Sequence, residues 1–545
     1  MKREIYTIDH VQNFKEMVLL IGDKFADDIA FEYFRDGTKV SVTYARFKRD
    51  VFALGSYFYS LGLKNSKIAL CGENSYEWVV TYLASAVGGN TLVPLDKELK
   101  PAEANVLLEA SGAEMLVYSA KKSELADLAG EQVKHKLCMT DFAKAFEEGG
   151  AVVESCGIME NEIDVEKVCT IIYTSGTTGN PKGVMLSQKN LVSNMILSIE
   201  SMWFPKGTVC VLPLHHTFGM MASVLCQLFC GFPIFMNDNL KYVLRDIKEA
   251  KPGHVSVVPL FLESFYKGIW KNAKKSGKDK ALKALIKASN GMRKVGIDMR
   301  KTLFKSVIDG FGGNLEMLIA GGAPISEDLI KGFDDFGIKI INGYGITECS
   351  PIVSLSKYDG NKPNSVGLPI KNVQVKTINN NEDSEGEICV KGDIVMMGYY
   401  NNPEANAEVF VDGWFNTGDL GRVDEDGFVF ITGRKKNLII LDNGKNVYPE
   451  ELEYLIGKID GVTEVLVYAE DEFIIAEIYA EDMSKKDAIT NEIKDKLNSS
   501  IASYKQIRKI KFRAGEFEKT TTKKIKRQVN IDKKRAKKQQ EKTEE

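Results

Sequence analysis

Three features of the sequence predict an α/β fold with more than one domain. Strand-like and helix-like segments alternate through its first third. Two later strand-like segments stop in glycine turns. From about residue 365 the pattern breaks into short strands, and a fresh α/β alternation follows Arg434. Strands separated by helical periodicity specify a doubly wound, parallel sheet. Glycine turns at the carboxyl ends of such strands are where open α/β sheets bind ligands. The 545 residues exceed what one hydrophobic core supports. The expected layout is a large domain of doubly wound sheets with a small β subdomain over 1–433. A small α+β domain over 434–532 and a basic, disordered tail over 533–545 follow.

Ile29–Tyr33 and Lys39–Thr43 have the alternation of a hairpin-like strand pair, and Tyr44–Leu61 the spacing of an amphipathic helix. Lys67–Cys71, Thr91–Leu95 and Met115–Tyr118 are expected strands, with helices Tyr76–Val87 and Pro101–Ala110 between them. Residues 120–165 are more polar and weakly patterned. Ser187 is an expected N-cap for a helix Gln188–Glu200. Val209–Leu214, Pro233–Met236, His254–Pro259, Leu315–Ala320 and Lys339–Asn342 read as further strands, and 267–305 as a lysine-rich helical surface. In the last part, Val373–Ile378, Gly386–Lys391 and Gly427–Thr432 are short strands. Leu438–Leu441, Val462–Tyr468 and Phe473–Tyr479 are strands beside helices Pro449–Ile459 and Lys485–Ser500.

Hydrophobic content of 44% and charged content of 27% are ordinary for a globular chain, and a net charge of −3 gives no whole-chain reason to bind nucleic acid. Nine cysteines without a CxxC pair suit free thiols in a reducing cytosol. Cys226 and Cys230 stand one helical turn apart in an apolar run, where packing is the expected role. The N-terminal MKREIYTIDHVQNF has no apolar core for a signal peptide. No uncharged apolar run reaches the ~18 residues of a membrane span. The expected location is therefore cytoplasmic. A weak peripheral contact of the basic tail with an anionic membrane stays open, as does a homodimer.

The chemistry concentrates in residues 170–187, TIIYTSGTTGNPKGVMLS. A β-branched apolar run enters a loop of hydroxyl and glycine residues: Thr174, Ser175, Gly176, Thr177, Thr178 and Gly179. Pro181-Lys182-Gly183 and a second apolar run follow. Glycines let backbone N–H groups turn toward an anion, the hydroxyls add donors, and Lys182 adds a mobile charge. This is the composition of a triphosphate loop, although no Walker A pattern aligns on it.

The stretch YTSGTTGNPKG resembles the phosphate loop of the adenylate-forming enzymes: acyl-CoA synthetases, luciferases and peptide-synthetase adenylation domains. Further motifs agree in the family's order, over about residues 25–528. GYGITE, 343–348, resembles the adenine and metal motif. The resemblance implies Gly343, Tyr344 and Gly345 against a purine, Thr347 on the α-phosphate, and Glu348 with Thr178 on Mg²⁺. GWFNTGDLG resembles the ribose motif, with Asp419 accepting from both hydroxyls. GRKKN brings Arg434 toward ribose or phosphate and sets Lys436 where the family has its hinge. FEKTTTKKIKR resembles PKTxxGKIxR, which makes Lys524 the catalytic lysine; Lys523 replaces the family's glycine and Phe517-Glu518 its leucine-proline.

His216 in PLHHTFG matches a position that the family sets beside the acyl carbonyl. Amino-acid-activating relatives carry an acidic residue near here. Leu214 to Phe218 has none, which favours an apolar acyl chain. Gly321, Gly322 and Ala323 would flank the adenine and acyl pockets, and Gly444 and Lys445 align with the loop used against pantetheine. The resemblance implies ATP, Mg²⁺ and coenzyme A as cofactors and a medium- to long-chain fatty acid as substrate. It also implies a C-terminal domain that moves between two half-reactions. An acyl carrier protein in place of coenzyme A, and a non-catalytic acyl or nucleotide binder, are the alternatives.

Overall fold

The computed structural model describes residues 5–174, 181–381, 384–441, 445–470, 473–520 and 524–534. The chain forms two compact units, Met1–Gln374 with Val390–Phe415, and Val375–Cys389 with Asn416–Glu545.

The described residues of the first unit form three sheets. The largest has seven strands. Lys67–Cys71 lies centrally, flanked in parallel by Thr91–Leu95 and Met115–Tyr118, and Thr91–Leu95 pairs in turn with Val168–Thr174. Two antiparallel strands extend that edge. Lys182–Ser187 returns along Val168–Thr174, and Gly398–Tyr399 pairs with Lys182–Ser187. Parallel strands need a crossover of about a dozen or more residues, which the short separation of Thr174 and Lys182 in the sequence does not provide, so the pair is antiparallel. A five-stranded sheet contains the parallel strands His254–Val257, Met317–Gly321 and Lys339–Gly345, then antiparallel Ile352–Leu355. A four-stranded sheet joins the N-terminal hairpin to Ile234–Met236 and Thr208–Cys210.

The weakly patterned stretch 120–165 folds into a helix Ser123–Leu128, an edge strand His135–Cys138 and a helix Phe142–Val152. Tertiary contact supplies what local pattern lacked. Gly149 lies so close to the Tyr44–Ser60 helix that a Cβ there would sit 1.9 Å from the Ala53 carbonyl oxygen. The apolar stretch after residue 216 is an irregular helix: Thr217–Met220, a π turn Met221–Leu225, and Cys226–Phe229. Cys226 and Cys230 are free, and burial pushes both thiols up, as packing residues should be. The lysine-rich surface is two helices, Pro259–Lys275 and Asp279–Arg293. Ser187 caps Gln188–Ser201 through the Asn190 N–H at 3.1 Å. No helix among the described residues is long and apolar enough to cross a membrane.

His254 is fully buried in the second sheet. Its Nδ1 is 2.6 Å from the Pro205 carbonyl, to which it donates, and its Nε2 has no hydrogen-bond partner among the described residues. Burial pushes its pKa down to about 4. A base whose folded pKa is depressed stabilises the fold above its unfolded value, ~6.5, and that stability is lost as pH falls toward the folded value. The urea midpoint of the wild type is therefore expected to drop more steeply from pH 6.5 to 4 than that of His254→Gln, by the equivalent of about 3 kcal/mol. Parallel pH profiles of the two proteins would exclude this.

The greater part of the strands Gln374–Ile378, Gly386–Lys391 and Trp414–Val423, and all of Val429–Arg434, which together form one sheet, belong to the second unit. A separate three-stranded sheet pairs Glu464–Glu470, Phe473–Tyr479 and Lys509–Arg513 under the helix Pro449–Gly457. The expected helix Lys485–Ser500 is interrupted by a π turn, Glu492–Leu497.

Candidate functional site

In the first unit, the strand pair Val168–Thr174 and Lys182–Ser187 fixes both ends of the phosphate-loop motif. Thr174 lies opposite Lys182, and its hydroxyl donates to the Lys182 carbonyl at 3.4 Å. The intervening Ser175, Gly176, Thr177, Thr178 and Gly179 lie outside the described residues, as does Gly444. The Lys182 ammonium sits 4.9 Å from the centre of the Tyr399 ring. The Tyr399 hydroxyl donates to Glu348 Oε1 at 3.0 Å. Lysine and carboxylate from two distant motifs thus meet on one tyrosine that the sequence did not single out.

Glu348 stands on a single 3₁₀ turn, Thr347–Cys349, directly after the strand Lys339–Gly345. Gly345 makes the exit possible, since a Cβ there would lie 2.0 Å from the Pro351 carbonyl oxygen. Tyr344 precedes it, half-buried, in register with Ser354. Gly343 pairs with Gly321 of the neighbouring strand, which brings the GYG and AGGA turns side by side. A Cβ on Gly321 would lie 3.1 Å from the Gly343 carbonyl oxygen and 3.8 Å from the Phe218 ring. Phe218 belongs to the histidine motif, so three motifs share one patch. Gly322 and Ala323 are exposed at its rim.

The two histidines divide. His215 is 7% exposed, with Nε2 at 3.5 Å from Asp96 Oδ1. His216 is half-buried and begins the helical turn Thr217–Met220, with its ring 4.3 Å from that of His215. Asp96 was invisible locally. It follows the strand Thr91–Leu95, and only sheet order brings it to His215.

In the second unit, Asp419 and Arg434 face one another across adjacent antiparallel strands, with Arg434 Nε 2.6 Å from Asp419 Oδ1. Asp419 is 4% exposed, and Thr417 fixes its backbone by accepting its N–H at 3.1 Å. Lys524 feels both charges. The residue as a whole is exposed, yet neighbouring protein atoms and the Arg434 guanidinium push its pKa down, while Asp419 pulls it up. Its backbone closes a tight turn with Thr520, donating to the Thr520 hydroxyl at 3.1 Å and accepting the Thr520 N–H at 2.7 Å. Arg527 anchors this segment. It binds both Glu453 oxygens, at 2.6 and 2.7 Å, and the Val467 carbonyl at 2.5 Å. Lys436 is exposed on the 3₁₀ turn Lys435–Asn437, and Lys445 is exposed beside the strand Asn446–Val447.

Among the described residues, no group of three or more His, Cys, Asp and Glu side chains could cage a metal. Glu348 with the adjacent Thr347 is a sparse, hard-oxygen donor set. It fits a cation such as Mg²⁺, which favours few carboxylates and takes the rest of its shell from phosphate oxygens and waters.

An α/β architecture that gathers charged side chains beyond its strand ends is that of a ligand-binding enzyme. The chain belongs to the AMP-binding enzyme family, whose model matches residues 21–400. It is 29% identical over 491 residues to the long-chain-fatty-acid–CoA ligase FadD15 of Mycobacterium bovis, covering 82% of this chain and 78% of that protein. It is 31% identical over 467 residues to long-chain-fatty-acid–CoA ligase 5 of Rattus norvegicus, covering 76% and 67%. Its fold matches that of the O-succinylbenzoate coenzyme A synthetase of Bacillus subtilis in complex with ATP and magnesium, with a TM-score of 0.76 at 22% identity over 95% of this chain and 99% of that one.

Proposed function

We propose that this chain is an ATP-dependent fatty acid–CoA ligase acting on medium to long acyl chains. The observation that carries it is the meeting of Lys182 and Glu348 on Tyr399. A phosphate-binding cation and a metal-binding anion stand together beside the glycine-ended strands of the same unit. In the first half-reaction the fatty carboxylate attacks the α-phosphorus of ATP and pyrophosphate leaves. Glu348 and Thr178 would hold the Mg²⁺, which would supply charge neutralisation at the phosphate oxygens. Lys182 and the hydroxyls from Thr174 onward hold the triphosphate, Tyr344 and the turns at Gly321 and Gly343 take the adenine, and Thr347 donates to the α-phosphate. Asp419 takes the ribose hydroxyls in exchange for part of its bond to Arg434. Lys524 stabilises the charge that builds on the α-phosphate and bridging oxygen.

In the second half-reaction the coenzyme A thiol attacks the acyl carbonyl beside His216, and AMP leaves. Residues 434–532 turn about Lys436 to exchange Lys524 for the loop of Gly444 and Lys445. The acyl chain is apolar. Asp96 approaches His215, with Oδ1 3.5 Å from Nε2, and the helix Thr217–Met220 and its continuation contribute Met220, Met221, Val224 and Leu225, all buried and apolar.

The test is AMP release measured with ATP, coenzyme A and carboxylic acids from acetate to oleate. Release should require all three substrates and rise strongly toward the longer acids. Acyl carrier protein supplied in place of coenzyme A tests the rival acceptor, since both present a pantetheine thiol. No acid-dependent release and no acid-dependent pyrophosphate exchange would remove the proposal.

A further inference from the structure

Residues 393–400 carry none of the motifs read from the sequence, yet they bind both elements that hold Lys182 and Glu348. The Asp393 and Val395 carbonyls accept from the Asn190 amide at 2.8 and 2.9 Å. The Ile394 carbonyl accepts from the Ser350 hydroxyl at 2.8 Å. The Met396 N–H donates to the Glu348 carbonyl at 2.8 Å. Gly398 and Tyr399 then pair with Met185 and Val184. Asn406 closes the end, accepting the Tyr399 N–H at 2.6 Å and donating to its carbonyl at 3.1 Å. The tyrosine so held is 7% exposed. Its segment is fixed to the lysine's strand through Gly398 and Tyr399 and to the glutamate's turn through Met396.

The side chain divides its two ends between opposite charges. The hydroxyl donates to Glu348 Oε1 at 3.0 Å, a charge-assisted bond that occupies one of the roughly four lone-pair sites of a carboxylate. The ring face carries the Lys182 ammonium at 4.9 Å from its centroid, an attraction of about 0.5–2 kcal/mol. That is weak enough for a phosphate to take the lysine away. An ammonium and a carboxylate that share one side chain would, without it, be free to form a direct ion pair in which each spends the charge that a metal-bound phosphate needs.

We propose that Tyr399 is a positioning residue for the metal-bound triphosphate. Its hydroxyl sets the Glu348 carboxylate for the cation, and its ring holds the Lys182 ammonium apart from that carboxylate until a phosphate recruits it. The proposal rests on the reading of Glu348 as a magnesium ligand and Lys182 as a phosphate ligand.

The experiment is calorimetric titration of the full chain with ATP, without any carboxylic acid, at zero and saturating Mg²⁺. Tyr399→Phe keeps the ring and loses the hydroxyl. It is expected to retain the melting temperature and the Mg²⁺-free ATP affinity, and to lose about 3- to 10-fold of the affinity that Mg²⁺ adds. Tyr399→Leu also loses the ring, and ATP binding should weaken with and without Mg²⁺. In a Glu348→Gln background, Tyr399→Phe should add nothing, because the tyrosine acts through that carboxylate. A wild-type Mg²⁺ response in Tyr399→Phe, with or without a lowered melting temperature, overturns the proposal, and so does an additive loss in the Glu348→Gln background. If wild-type ATP affinity ignores Mg²⁺, the reading of Glu348 falls and the proposal with it; if only the variant's response equals the wild type's, that reading stands.

Discussion

Lys524→Ala is expected to cut acyl-adenylate formation about 100- to 1,000-fold while leaving thioester formation from supplied acyl-AMP near the wild-type rate. The lysine sits beside Asp419 and Arg434, and its pKa is pushed down by neighbouring protein atoms and by the arginine. A cation in such surroundings gains most when negative charge develops nearby, and pyrophosphate departure develops that charge on the α-phosphate. The second half-reaction has no pyrophosphate to expel, so it should not depend on this ammonium. Pyrophosphate exchange and a thiol-capture assay on synthetic acyl-AMP measure the two steps separately. Equal loss of both would show that Lys524 supports the fold of its unit and not one step. Lys523 is the natural control, because it neighbours Lys524 in KTTTKKIKR. Lys523→Ala should leave adenylation within a few-fold of wild type.

The second large effect concerns stability. Glu453→Ala is expected to destabilise the second unit by about 2–4 kcal/mol, because it leaves the Arg527 guanidinium with the Val467 carbonyl and only the more distant Glu450 carboxylate, at 4.0 Å. Arg527 contacts both oxygens of Glu453, and Glu453 Oε1 also accepts the Val467 N–H at 2.7 Å. The two side chains are 17% and 19% exposed, so water recovers part of the loss and the estimate sits below that for a fully buried pair. Arg527→Lys should be milder, since an ammonium keeps the charge but not the two parallel bonds. Urea unfolding of the full chain reads both. A change below about 0.5 kcal/mol in Glu453→Ala would place this pair among ordinary surface ion pairs. Since Arg527 lies three residues beyond Lys524, the same variant should also slow adenylation more than it slows thioester formation from acyl-AMP.

The legible parts of this protein are those that a short window contains. Lys67–Cys71, Tyr76–Val87, Thr91–Leu95 and Met115–Tyr118 fall where periodicity sets them, and Ser187 caps the helix it precedes. The same holds for motif composition. Glycine, hydroxyl and lysine residues between two apolar runs make an anion loop the expectation, because backbone freedom and donor chemistry are properties of the residues themselves; Ser175 to Gly179 lie outside the described residues. The stretch 120–165 reads as weakly patterned overall, although its helix Phe142–Val152 buries Phe142, Ala145 and Gly149 on one face; what no window contains is the close approach of Gly149 to Tyr44–Ser60.

Pairings between distant residues belong to the second kind. Nothing near His215 or His216 says which ring turns inward; burial of His215 against Asp96 decides it. Nothing near Glu453 announces Arg527, and nothing in MMGYYN announces that Tyr399 will stand between Lys182 and Glu348.

The sequence alone determined the family resemblance, the α/β class and the kinds of side chain available for phosphate, metal and acyl chemistry, since each depends on local composition and spacing. The tertiary structure alone decided which of those side chains meet. Sheet order and strand register set distances between residues far apart in the chain, and no local window contains that information.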